Sequence, residues 1–255
     1  MDNVKIVDVN EKNINEYPPR CFLKTDNIGY KKKYDWLIKR FSEGLKIKNL
    51  YVEGEKNCNG FIEYIAGENA WRSVDAKDFM FIHCIWISPN KYKNLGYASL
   101  LVNECIKDAE HEEKVGVAVI TSEGPFMAGK NLFLKNDFEI VDSVEPSYNL
   151  MVKTFKKGPI PKFNDWESSI AKYQGLNIIY SNQCPWVARS IKELSEVAKD
   201  HSLELKITEL KTAKEAQSAP SVYSTFSLIY NKKLLVDHYI SKARFKNIIK
   251  KEINK

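Results

Sequence analysis

Apolar residues recur along the first part of this chain with two alternating periods. Val4, Ile6, Val7 and Val9 predict an opening strand, and Tyr34, Trp36, Leu37, Ile38, Phe41 and Leu45 predict a helix across Lys31–Leu45, with Gly44 near its end. Two strands, Asn49–Gly54 and Gly60–Ala66, flank the turn-forming EKNCNG segment and read as a hairpin. A further strand is expected at Phe79–Ile87. After it Ala98, Leu101, Val102, Cys105, Ile106 and Ala109 form one apolar stripe, while Asn103, Glu104, Lys107 and Glu110 fall elsewhere, as in an amphipathic helix. Val115–Thr121 is apolar and β-branched without alternation, the pattern of a strand covered on both faces. Asn131–Lys135 reads as helix, and Phe138–Val141 and Tyr148–Phe155 as closing strands.

Lys156–Phe163, KKGPIPKF, fixes an extended course through two prolines and a glycine, and the pattern then restarts. Leu176–Tyr180 predicts a buried strand. Val187, Ile191, Leu194 and Ala198 predict a helix, Leu203, Leu205 and Ile207 a strand, and Thr212–Gln217 a short helix. Phe226–Tyr230 and Lys233–Asp237 read as a hairpin about Asn231, and Phe245, Ile248, Ile249 and Ile253 as a last helix. With 255 residues, 44% of them apolar, the chain can fill two cores. The expected organisation is a mixed α/β domain over residues 1–157, a linker over 158–174 and a smaller α/β domain over 175–255.

Composition narrows the chemistry. A net charge of +6 is modest for this length, and the basic clusters Lys31–Lys33 and Lys246–Lys255 carry no nucleic-acid recognition motif, so no nucleic-acid partner is expected. MDNVKIVDVN has no apolar h-region and no stretch is long enough to cross a bilayer, which predicts a cytoplasmic protein with no membrane partner. Five cysteines without a close pair suggest neither a disulfide framework nor a zinc site, and the four histidines are scattered, so no metal is expected. The pattern leaves the oligomeric state open.

Between Ile85 and Ala109 the order is strand, Pro-containing turn, basic Gly-bearing loop and helix. Gly96 allows close approach to the backbone, and the first amides of the helix point at an anion with the helix dipole behind them. That combination suits a pyrophosphate. The segment resembles motif A of the GNAT acetyltransferase superfamily, with Lys93, Gly96 and Ala98 at the signature positions. The resemblance implies a GNAT-type mixed sheet over roughly the first 155 residues. It also implies acetyl-coenzyme A as co-substrate, held by Lys93, Asn94, Leu95, Gly96, Tyr97, Ala98 and Ser99. The strands Phe79–Ile87 and Val115–Thr121 then splay, and main-chain groups of Ile85, Trp86 and Ile87 pair with the pantetheine arm as a false strand. The Trp86 side chain is expected in the core.

Lys130–Val141, KNLFLKNDFEIV, resembles the second motif of that family through Asn131, Phe133, Lys135 and Phe138, and the resemblance implies that Asn131 and Phe133 also contact the cofactor. Asp137 stands where glycine is usual, and Phe133 where many members carry the tyrosine that protonates the departing thiolate. A phenyl ring cannot donate a proton, which leaves that role to Tyr148 or water. Transfer to an amine also needs a base, and Glu63, His83 and Glu123 are the candidates on the acceptor side. A backbone amide near Ile85–Ile87 would meet the oxyanion. The Ile62–Ala76 stretch, with Glu63, Tyr64, Glu68, Trp71 and Arg72 close together, is expected either to shape the acceptor pocket or to be a loop that Trp71 anchors to the core while Glu68 and Arg72 form a surface ion pair.

The order of elements after residue 175 resembles a minimal thioredoxin or glutaredoxin fold. Cys184 and Pro185 match the first half of the CPxC turn, and Val187 replaces the second cysteine, which excludes an intramolecular disulfide cycle. QCPW, PSVY and YNKKLL together resemble the C-terminal YoaP-like domain of certain bacterial acetyltransferases. The resemblances imply an N-acetyltransferase acting on a small-molecule or peptide amine. A coenzyme A-binding protein without turnover and a monothiol redox protein acting through Cys184 are the alternatives.

Overall fold

The structure, a computed structural model, describes residues 3–21 and 25–253. Two compact units form, one from Met1–Phe22, Leu37–Ala70 and Asp75–Lys162, the other from Leu23–Trp36, Trp71–Val74 and Phe163–Lys255. The elements up to the middle of the chain are β1 (Val4–Val9), α1 (Ile28–Phe41), β2 (Lys46–Val52), β3 (Gly60–Ala66), β4 (Val74–Asp75), β5 (Phe79–Ile87), α2 (Tyr97–His111) and β6 (Gly116–Thr121). There follow α3 (Lys130–Leu134), β7 (Glu139–Val144), β8 (Tyr148–Thr154), β9 (Lys162–Phe163), α4 (Trp166–Ile170), β10 (Leu176–Tyr180), α5 (Pro185–Asp200) and β11 (Leu205–Glu209). The chain closes with α6 (Ala213–Gln217), β12 (Phe226–Tyr230), β13 (Lys233–Val236) and α7 (Lys242–Ile248), which runs on into a π-helical turn, Ile249–Ile253.

The first unit is a mixed α/β fold on a seven-stranded sheet ordered β1-β2-β3-β5-β6-β8-β7. Its central pair, β5 and β6, is parallel and the other neighbours are antiparallel. Every residue of β6 is buried, as its unbroken apolar run predicts. The α2 stripe packs Leu101, Val102, Cys105, Ile106 and Ala109 onto Leu50, Ile62, Met80, Ile82, Val117 and Val119. Residues of the opposite parity, among them Phe61, Ile65, Phe79, Phe81, Ala118 and Leu150, are buried on the other face.

The second half of α2 is moored by charge. The Asp108 carboxylate accepts from the Tyr64 hydroxyl at 2.7 Å, and Lys46 Nζ lies 3.2 Å and Lys48 Nζ 3.4 Å from its oxygens. Burial works to raise the Asp108 pKa, but the Tyr64 bond, the Lys46 bond and the charges of Lys48 and Lys46 outweigh it and hold the carboxyl below its ordinary value. Asp108→Asn would leave the Lys48 ammonium, 8% exposed, with Asp8 and a Glu104 oxygen 3.8 Å away. The expected loss is about 1–3 kcal/mol at neutral pH. A depressed folded-state pKa stabilises above the unfolded value, about 3.9, and that stability drains as pH falls through the folded one. Thermal unfolding of the two proteins should therefore show a gap in Tm that is constant from neutral pH to about pH 5 and narrows below about pH 4; a gap that widens there would contradict the assignment.

In the second unit the sheet runs β11-β10-β12-β13, with β10 parallel to β11 and antiparallel to β12. Helix α5, whose N1 position is Pro185, buries Val187, Leu194, Val197 and Ala198 against Ile178, Phe226, Leu228 and Phe245. Edge strand β11 is mostly exposed, including Ile207. Residues 71–74 also belong to this unit. Trp71 meets Trp36 edge-on with centroids 5.2 Å apart. Arg72 is buried, donates to the Trp71 carbonyl at 2.7 Å and to Gln183 Oε1, and lies over the Tyr223 ring. Arg72 is thus buried and not the surface partner expected for Glu68; Glu68 accepts from the Asp78 amide and faces Lys114.

Candidate active site

Strands β5 and β6 are in register only from Phe79↔Gly116 to Ile82↔Val119. Beyond that point β5 continues to Ile87 and β6 to Thr121 without a shared ladder, so the two strands part at their C-terminal ends. On the other side of β5 the register with β3 shifts, Tyr64 facing Ile82 and Glu63 facing Cys84. His83 is the extra residue of a β-bulge.

The bulge decides what the parting strands expose. The Ser88 amide donates to the Asn59 carbonyl at 2.8 Å, and the ladder continues as Ile87↔Gly60, Trp86↔Phe61 and Ile85↔Ile62. In an antiparallel ladder alternate residues turn both main-chain groups to the same neighbour. Cys84 and Trp86 therefore bond β3, while Ile85 and Ile87 turn theirs toward the gap beside β6. Trp86 was expected to offer its backbone to a pantetheine arm; β3 already occupies it. Its side chain was expected in the core and is 41% exposed, because the bulge puts Ile85 and Ile87 on the α2 face and Trp86 on the other.

The loop after β5 leads into α2. Glu55 accepts from Lys91 Nζ at 2.8 Å and from the Tyr92 hydroxyl at 2.5 Å, which fixes the 3₁₀ turn Asn90–Tyr92. Lys93, Asn94 and Leu95 are exposed, and Asn94 has φ 63°. Gly96 is the N-cap residue at φ 85°, a left-handed conformation that glycine adopts without a Cβ penalty. No side chain caps the helix. Its ladder opens with the Leu100 amide on the Gly96 carbonyl, so the amides of Ala98 and Ser99 lie ahead of the first intrahelical bond. The ring of Tyr97 is buried beside Tyr92, with centroids 6.0 Å apart.

A contact not anticipated from the sequence steadies this turn. Asn136, buried just after α3, donates from Nδ2 to Ser99 Oγ at 3.0 Å and to the Leu132 carbonyl at 2.7 Å. The only hint in the chain is a polar residue within KNDF, between two core phenylalanines. Phe133 is wholly buried against Phe138 at 5.3 Å, so its assignment to the cofactor surface is corrected: the ring is part of the core. Asn131 is exposed on α3.

Of the acid–base candidates, Glu63 and His83 come together. His83 Nδ1 lies 3.5 Å from Glu63 Oε1, and the two side chains are 0% and 1% exposed. Glu123 is exposed beyond the end of β6, and Tyr148 is buried at the start of β8, where Asn149 pairs with Thr121. No metal-holding group of His, Cys, Asp and Glu occurs among the described residues, and no helix among them is long and apolar enough to cross a membrane.

In the second unit Cys184 is the N-cap residue of α5 and half-buried. The turn before it is held by Asn182, which donates to Glu209 Oε1 at 2.7 Å. Val187, three residues after Cys184, is completely buried.

A family model described as YoaP-like matches residues 204–247. The chain is 28% identical over 249 residues to a Bacillus subtilis protein named "Uncharacterized N-acetyltransferase YoaP", a match spanning 95% of this chain and 97% of that one. Among solved structures, the PaiA N-acetyltransferase of Thermoplasma acidophilum in complex with coenzyme A matches with a TM-score of 0.44 at 12% identity, over 60% of this chain and 99% of that chain. A GNAT-family acetyltransferase from Streptococcus pneumoniae matches with a TM-score of 0.42 at 18% identity, over 60% of this chain and 100% of that chain.

Proposed function

We propose that the chain is an acetyl-coenzyme A-dependent N-acetyltransferase whose acceptor is a small-molecule or peptide amine. The observation that carries this reading is the parting of β5 from β6 beside a glycine-capped helix. A pantetheine arm lying in the gap meets the main-chain groups of Ile85 and Ile87, and a pyrophosphate meets the amides of Ala98 and Ser99. The name of the Bacillus subtilis relative, which matches along nearly the whole length, supports the same activity.

In this reading an amine attacks the thioester carbonyl, a C–N bond forms, and the C–S bond breaks as the thiolate leaves. Glu63 and His83 take the amine proton; both are enclosed, so the transfer runs through a bridging water. The amide of Ile85 or Ile87 faces the developing oxyanion from a fixed strand and needs no reorganisation. With Phe133 in the core, protonation of the thiolate falls to Tyr148 or to water, and a thiol is a tolerable leaving group near neutral pH.

The second unit is proposed to be thioredoxin-like, supported by its order of strand, helix, strand, short helix, hairpin and helix and by the parallel β10–β11 pair. With Val187 in the core it serves as scaffold or acceptor-recognition domain. Five free cysteines suit a reducing, cytoplasmic setting.

Incubation with acetyl-coenzyme A and a panel of small amines, polyamines, amino acids and peptides, followed by titration of free thiol, tests the proposal. Amine-dependent release of thiol is expected. Tight binding with an intact thioester after long incubation would make the chain a coenzyme A-binding protein instead.

A further inference from the structure

The face of the sheet opposite α2 carries, beyond the Glu63–His83 pair, groups that the reaction does not use. Residues 17–18 cross this face: Asn49 Nδ2 donates to the Tyr17 carbonyl at 2.9 Å and the Pro18 carbonyl at 3.2 Å, and the Tyr17 and Tyr51 rings meet edge-on at 5.9 Å. Asn49 and Tyr51 have the parity opposite to Leu50 and Val52, which pack under α2. The crossing brings Arg20 to the end of β5, where its Nη2 reaches Ser88 Oγ at 3.5 Å, the outer limit of a hydrogen bond. Arg20 is half-buried, and its Nε is shut off from solvent with no acceptor among the described residues. No carboxylate pairs with it among the described residues. A buried guanidinium donor without an acceptor is costly, and a planar carboxylate is the anion its fork fits best.

Ser88 continues the β5 ladder, so it shares the parity of Trp86 and Cys84. Along one strand face the order is thus Arg20 at Ser88, the exposed ring of Trp86, Cys84, and the Glu63–His83 pair. Resting on the transferase reading above, we propose that the acceptor carries a carboxylate as well as its amine: Arg20 binds the carboxylate, Trp86 supports the spacer, and the amine reaches the Glu63–His83 end. Four residues of strand separate Ser88 from Cys84, about 13 Å. An extended tripeptide, which spans on the order of 10 Å between its amine and its carboxylate, is of the right length. Arg20 is in this view a specificity residue, acting on the far end of the substrate.

The test compares triglycine with triglycinamide, which differ only in the terminal charge. Calorimetry on the full chain loaded with coenzyme A should show triglycine binding at least about tenfold tighter, the equivalent of about 1.4 kcal/mol. Arg20→Gln should erase that preference and leave the amide's affinity unchanged, and the same ratio should appear in kcat/KM wherever turnover is measured. Equal affinity for the two peptides, or a preference that survives Arg20→Gln, overturns the proposal. The binding arm does not depend on turnover: a chain that prefers triglycine but releases no thiol with any amine would sink the transferase reading and keep the carboxylate site. The wild-type comparison needs no variant and decides the matter even if Arg20→Gln does not fold.

Discussion

Glu63→Gln is expected to lower kcat by a factor on the order of 10²–10⁴, the range associated with a positioned general base, while acetyl-coenzyme A binding stays unchanged. Gln preserves the shape of the buried side chain but cannot take a proton, and it leaves His83 without the carboxylate 3.5 Å from its Nδ1. His83→Gln should give a loss of the same order, and the double variant should lose little more than either single one, because the pair acts as a unit. Steady-state kinetics on any amine found to be a substrate provides the measurement. Turnover within about threefold of wild type would reduce the pair to a structural contact.

The second large effect is expected at the phosphate end. Gly96→Val places a β-branched residue at φ 85°, a conformation costing about 1–3 kcal/mol, and puts a Cβ where the ligand must approach the main chain. Affinity for acetyl-coenzyme A should fall on the order of 100-fold, about 2.8 kcal/mol. Isothermal calorimetry reads the affinity, and circular dichroism should show an unchanged secondary structure. Retained affinity in a folded Gly96→Val chain would mean that the pyrophosphate is not held at this turn.

Much of this architecture was legible in the chain because local period and local structure coincide. Val4–Val9, Gly60–Ala66, Phe79–Ile87, Leu176–Tyr180 and Phe226–Tyr230 form strands with the expected bounds, and the α2 stripe is buried where its spacing placed it. Helix α1 starts and ends a few residues earlier than its pattern suggested, since Ile28–Gly29 open it after the Asn27 side chain accepts from the Gly29 amide. Trp86 could not be read correctly. Alternation along β5 holds only until the bulge, and an inserted position such as His83 leaves no mark in a sequence that is apolar on both sides of it. The meeting of Glu63 with His83 was hidden for the same reason: each was a candidate alone, and only the register of β3 on β5 joins them. Phe133 misled because a position in a motif says where a residue sits in the chain and nothing about how deeply its helix is sunk. The Asn136–Ser99 and Arg20–Ser88 contacts are long-range, between residues 37 and 68 positions apart, and no local pattern encodes them.

Helix α2 is fastened unevenly. Toward its C-terminus Asp108 is tied to Tyr64, Lys46 and Lys48, whereas the first turn has no capping side chain and is steadied by the Tyr97 ring against Tyr92 and by Asn136 at Ser99. The helix thus resembles a tuning fork clamped at the stem. In the proposed reading, when a nucleotide docks, adjustment can be confined to the tip that lacks ionic ties, and the rest of the sheet need not register its arrival.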